Sequence, residues 1–102
     1  MTLPEFKAVI VGADPNATHY SGDSTGNYTT WAEFGRSGLH ANNRMAETIN
    51  RIQVDRFTKA ESDPIVAAIT AALDAAEVSY EYRLDREPDT KYLHHIWDCE
   101  VV

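Results

Sequence analysis

The run Ile49-Asn50-Arg51-Ile52-Gln53-Val54-Asp55-Arg56-Phe57-Thr58-Lys59, followed four residues on by Asp63-Pro64 and an alanine-rich stretch, decides how this chain folds. Apolar and polar residues alternate through it with a period near two, and its apolar positions are β-branched or aromatic. That pattern predicts a half-buried strand feeding a helix. Asn50, Ile52, Val54 and Arg56 share one face, while Ile49, Arg51, Gln53, Asp55 and Phe57 share the other, so each face mixes apolar with charged groups. A lone domain gains nothing obvious from that mixture. A subunit whose sheet lies under helices on one side and meets neighbours on the other would show it.

Downstream, Ser62 or Asp63 caps a helix with Pro64 just inside it, and Ile65, Ala68, Ile69, Ala72, Leu73 and Ala76 recur at three- and four-residue spacing. This small apolar stripe suits close packing on a sheet. Tyr80, Tyr82 and Leu84 then alternate with Ser79, Glu81 and Arg83, which predicts a strand over 78–84. A turn over 86–91 returns the chain into a last strand, Tyr92 to Val101, paired with the preceding one as a hairpin.

Upstream, Thr2-Leu3-Pro4-Glu5 has the form of a capping box, with proline in the first turn where its missing N–H does no harm. Phe6, Val9 and Ile10 fall on one face of the helix it opens, and Gly12 can close it. Residues 13–27 are rich in Asp, Asn, Ser, Thr and Gly and form mostly loop, with room for a short strand at Ala17 to Tyr20. Tyr28-Thr29-Thr30-Trp31-Ala32-Glu33-Phe34 is aromatic and β-branched and predicts a strand. Residues 35–45 hold two glycines and the pair Asn42-Asn43, a connection too long for a tight hairpin and of the kind that carries function. The following strand is expected from about Ala46 to Thr58.

The order helix, strand, long connection, strand, helix, hairpin predicts an α+β fold. It is a single two-layer domain over 1–102, with a mostly antiparallel or mixed four-stranded sheet and two helices packed on one face. Only one connection is helical, so a wound parallel sheet is not expected.

The totals narrow the function classes. A 102-residue chain with 43% hydrophobic and 25% charged residues has an ordinary globular composition. No apolar run approaches the ~20 residues that span a bilayer. Glu5 and the lack of a small-residue cleavage site make the N-terminus a poor signal peptide, so a cytoplasmic protein is expected. One cysteine, Cys99, rules out an intramolecular disulfide framework and a thiolate-rich zinc site. Sixteen acidic against nine basic residues give a net charge of -7, which disfavours binding to phosphate backbones. The same charge suits a protein past which DNA must slide without sticking.

Side chains with chemistry were weighed in turn. His94-His95, with Cys99, Asp98 and Glu100 nearby, invites a metal site, but adjacent strand residues point to opposite faces. His95 and Cys99 share a face yet lie roughly 13 Å apart along the strand, beyond the span of two ligands of one ion. Ser21-Gly22-Asp23-Ser24-Thr25-Gly26 has neither the lysine nor the spacing of a phosphate-binding loop, and it is no G-x-S-x-G elbow. No nucleophile, base and orienting group can be assembled, so no enzyme, cofactor or metal is expected. The aromatic and arginine residues are a different matter. Trp31, Phe34, Arg36, Leu39, Arg44, Arg51 and Arg56 are candidate contacts with a neighbouring subunit or partner. For the tryptophan a place in the core, and for the arginines a solvated face, stand as equal alternatives.

Taken in order, an aromatic strand ending in Glu33-Phe34-Gly35, a connection carrying Leu39-His40-Ala41-Asn42-Asn43, the run Asn50 to Lys59, an Asp-Pro helix and a closing hairpin resemble tail-completion proteins of phages and prophages. The resemblance is to the tail terminator type of long-tailed phages, and it covers residues 17–102. It implies a non-enzymatic structural subunit that forms a hexameric ring in the assembled tail, with a monomer as the alternative state when free. Such a ring caps the head-proximal end of the tail tube, stops its polymerisation and joins tail to head. The implied partners are further copies of itself, the tail tube protein and a head-completion or stopper protein, with no sequence-specific nucleic acid and no membrane. The implied location is the host cytoplasm during assembly and then the virion tail. Another head–tail joining component, such as a stopper or adaptor, and a small acidic phage inhibitor protein are the alternatives.

Overall fold

Residues 49–58 of the deciding run lie within the longest described strand. The computed structural model describes the backbone of residues 1–21, 26–41 and 44–101, and the side chains of these residues apart from 36–48. In chain order the elements are α1 (Leu3–Ala13), β1 (Thr18–His19), β2 (Tyr28–Ala41), β3 (Arg44–Thr58), α2 (Pro64–Ala75), β4 (Ser79–Arg86) and β5 (Leu93–Val101). The strands form one mixed sheet in the order β1-β2-β3-β5-β4. All pairings are antiparallel except β1 with β2, which run parallel at Thr18↔Thr30 and His19↔Trp31. The fold is therefore α+β, with one more strand than the four expected. The extra one is the two-residue β1, inside the Ala17 to Tyr20 segment.

Local signals place the helices. At α1 the Thr2 hydroxyl accepts from the Glu5 amide while the Glu5 carboxylate accepts from the Thr2 amide at 3.0 Å, completing the capping box. Asp63 caps α2 by accepting from the Ile65 amide at 2.9 Å, and Pro64 occupies the first turn. Phe6 and Ile10 of α1 and Ile69 and Leu73 of α2 join Trp31, Ile52, Val54, Trp97, Cys99 and Val101 of the sheet in one buried cluster. Each large side chain fully removed from water here stabilises the fold by about 1.5–3 kcal/mol. Both helices therefore share one face of the sheet.

Residues 35–41 and 44–45 differ from expectation. They belong to the strands rather than to a long connection, because β2 continues to Ala41 and β3 begins at Arg44, with pairs such as Arg36↔Asn50, Ser37↔Ile49 and Leu39↔Glu47; the rest of that expected connection, 42–43, lies outside the described residues. Main-chain hydrogen bonds hold a ladder whatever the side chains, so a segment of glycine and small polar residues can be strand without showing apolar alternation. Register shifts fall at Phe34, between Glu33 and Gly35, and between Leu39 and His40. β5 joins β3 only from Asn50 to Thr58. Residues 44–49 of β3 are thus paired with β2 alone among the described residues, and the hairpin runs on past the sheet as a two-stranded arm. The long axis of the molecule is 50 Å, against 26 and 20 Å for the others.

Candidate assembly surfaces

The mixed faces of β3 resolve into two different environments. On the helix side, Arg56 is 8% exposed and sits between the two helix ends. Its Nε donates to Asp63 Oδ2 at 2.9 Å, and its Nη1 donates to Thr29 Oγ1 at 3.2 Å and to Asp14 Oδ2 at 3.5 Å. Asp14 terminates α1 and Asp63 starts α2. One guanidinium therefore ties the end of the first helix and the start of the second to the central strand. Burial works to raise the pKa of Asp63, but the Ile65 amide, Arg56 and Thr58 outweigh it and hold the carboxyl below its usual value.

Next to Arg56 across the ladder stands His95, also buried. Its Nδ1 is hydrogen-bonded to the Tyr82 hydroxyl, and its Nε2 is buried with no protein partner among the described residues. Burial disfavours the imidazolium and lowers the histidine below its usual value, with the nearby Arg56 and His94 acting the same way and Asp63 opposing them. Further along the same face Cys99 is buried, and burial pushes its thiol up to about 12. So high a value keeps the sulfur protonated and unreactive, in line with a small core residue.

The other face carries no helix. There Tyr28, Phe57 and His94 form a stack across three strands, with ring centroids 4.7 Å and 4.1 Å apart. Tyr92 stands edge-on to Tyr28 and Phe57, and its hydroxyl donates to the Gly26 carbonyl at 2.6 Å. His94 Nε2 lies 2.7 Å from Asp55 Oδ1, which also accepts from Gln53 Nε2 at 2.8 Å. A histidine oriented by an aspartate is half of a catalytic relay. Its Nδ1 lies 3.9 Å from the Glu87 carboxylate, an acid where a relay would need a nucleophile. Farther along this face, the Arg51 guanidinium lies 4.9 Å from the centre of the Phe34 ring. A shallow cleft of about 210 Å³ runs from this pair to Ser79, Glu81, Asp98 and Glu100.

The seven candidate contact residues therefore part company. Trp31 and Arg56 belong to the interior: Trp31 is 3% exposed, stacked on His19 at 3.9 Å and tilted against Phe6 at 5.8 Å. Both side chains are taken up within the chain, Trp31 in the core that stood as its equal alternative and Arg56 between the helix ends rather than on a solvated face. Phe34 and Arg51 are exposed and adjacent. Arg36, Leu39 and Arg44 lie on the backbone of the arm, and their side chains fall outside the described residues. His94 and His95 do point to opposite faces. Among the described residues no group of three or more His, Cys, Asp or Glu side chains is placed to hold a metal ion. No described helix is long and apolar enough to cross a membrane.

Two features escaped the sequence reading. The open-face stack needs Tyr28, Phe57 and His94 in one cross-strand row, and only the pairing register reveals that. The alternation that predicted the 78–84 strand does not tell that Tyr82 and Leu84 stand 46% and 43% exposed. No protein-family model matches the sequence, and no curated protein matches it.

Proposed function

We propose that this chain is a structural, non-enzymatic subunit of a phage tail-completion ring, of the terminator type. In this role it caps the head-proximal end of the tail tube, halts tube growth and presents a surface to the head-completion protein. It acts in the host cytoplasm during assembly and then in the virion tail. The observation that carries the reading is the two-stranded arm formed by the distal parts of β2 and β3. An isolated two-stranded hairpin is at best marginally stable in water, so an arm of this kind earns its place by packing on another subunit. The net charge of -7 supports the same role, since an acidic ring around a DNA path repels phosphates and lets the genome pass.

Electron microscopy of particles made without the protein tests the proposal. Overlong tails detached from heads are expected. Tails of normal length that fail to join heads would overturn termination and point to a stopper or adaptor role, and intact particles would remove the virion role altogether.

A further inference from the structure

Arg56 is buried, yet its hydrogen bonds do not use all of it. A guanidinium carries five N–H donors. Nε gives its one to Asp63, and Nη1 gives its two to Thr29 and Asp14. The two on Nη2 meet no acceptor among the described residues. They are not sealed in either, because among those residues His95 Nε2 is the fully enclosed side-chain atom that lacks a partner. Arg56 also lines a cavity of about 470 Å³, whose other walls are Asp14, Asn16, Thr18, Asn27, Tyr28 and Ile65. The free Nη2 donors therefore open on this cavity. Its volume falls in the range of small-ligand sites, ~300–1,000 Å³.

The charges select the kind of ligand. Arg56 already faces the carboxylates of Asp14 and Asp63, so a further anion would meet repulsion instead of a bare cation. A neutral acceptor, such as a carbonyl oxygen, suits Nη2 better. Beside it, Asp14 accepts from the Asn16 amide and from Arg56, and a carboxylate has about four lone-pair sites, so room remains for an incoming N–H. Asn27 spends its Oδ1 on the Lys59 amide, which leaves its NH2 group as a second donor on the wall. An acceptor and a donor held side by side in one neutral group make a carboxamide.

We infer that this cavity binds a carboxamide, its oxygen accepting from Arg56 Nη2 and its nitrogen donating to Asp14. A glutamine or asparagine side chain carries that group, on a partner polypeptide or as the free amino acid. The site owes nothing to the arm or to the net charge, so it stands independently of the tail role.

NMR titration of the whole chain tests it. The probe is N-acetyl-glutamine N-methylamide, and the glutamate compound of the same shape is its anionic counterpart. The glutamine probe is expected to move the Arg56 side-chain N–H signals saturably in the millimolar range. The glutamate compound should bind about tenfold or more weakly, as the loss of a hydrogen bond to a charged group implies. Asn16→Trp fills the cavity from an exposed wall position and should abolish binding. Free glutamine that matches the blocked probe marks a small-molecule site, and a blocked probe that binds more tightly marks a polypeptide one. Unmoved Arg56 signals, equal binding of the glutamate compound, or undiminished binding by Asn16→Trp would each overturn the assignment. None of these results decides the termination role, which stands or falls on tail length in particles lacking the protein.

Discussion

On its helix side β3 buries a charge, and on its open side it keeps its charges half in water; the two faces show how one alternating strand can serve two neighbours. Arg56 is enclosed by Asp14, Asp63 and Thr29 and organises both helices. Asp55, one residue away on the opposite face, binds His94 and Gln53 beside a stack of aromatic rings. A charged residue on the covered face is therefore no sign of a missing neighbour. It is a cross-link between elements that the chain makes far apart. The open face manages without a helix layer: Ile96, between Asp55 and Arg83 in the ladder, is 2% exposed yet lies outside the cluster that the helices cover.

The comparison breaks most sharply at Arg56. Replacing it by methionine leaves the carboxylates of Asp14 and Asp63 buried without their cation, and removing one partner of a buried ion pair costs about 3–5 kcal/mol. Urea unfolding of Arg56→Met should show that loss, and a cost below about 1 kcal/mol would mean that the enclosed network adds no more than a surface pair does.

A smaller effect follows from His95 on the same face. Its folded form resists protonation, so the stability it contributes is present above its usual value of 6.5 and is lost as pH falls below that point. Stability measured from pH 7.5 to 5 should therefore fall more steeply for the wild type than for His95→Gln. Parallel curves would show that burial of this ring is not linked to pH.

The smallest effect is expected on the open face. Arg51→Ala removes an exposed cation over the Phe34 ring and should change stability by no more than about 0.5–1 kcal/mol. A loss as large as that of Arg56→Met would erase the distinction between the faces.

What was legible in the sequence is what depends on near neighbours. The Thr2 capping box, Asp63-Pro64, the stripe from Ile65 to Leu73 and the alternation through Tyr80, Tyr82 and Leu84 are all local signals, and the α+β architecture follows from their order. Arg56 was misplaced for a reason of distance. One of its partners is 42 residues away in the chain, and alternation says which face a side chain takes without saying what covers it. For Trp31 the core and a contact stood as equal alternatives for the same reason, since Phe6 and His19 reach it only in the folded state. The strand character of 35–41 was hidden because glycine and serine carry no periodic apolar signal. On the outermost strand the alternation was legible but the cover was not: Tyr80 packs against the core and its hydroxyl donates to Asp74 of α2, whereas Tyr82 and Leu84 stay exposed.

The strand order also sets a schedule. β4 runs parallel to β3 and is joined to it through α2, but the place between them is filled by β5, which the chain makes after every other element described. Until residues 93–101 emerge from the ribosome, β4 has no strand to pair with, and the face that will hold Trp97 and Cys99 is empty. Folding during synthesis can thus reach α1, the long hairpin and α2, but the finished sheet must wait for its last central piece. The outermost strand therefore cannot take its place before every other described element of the sheet has been made.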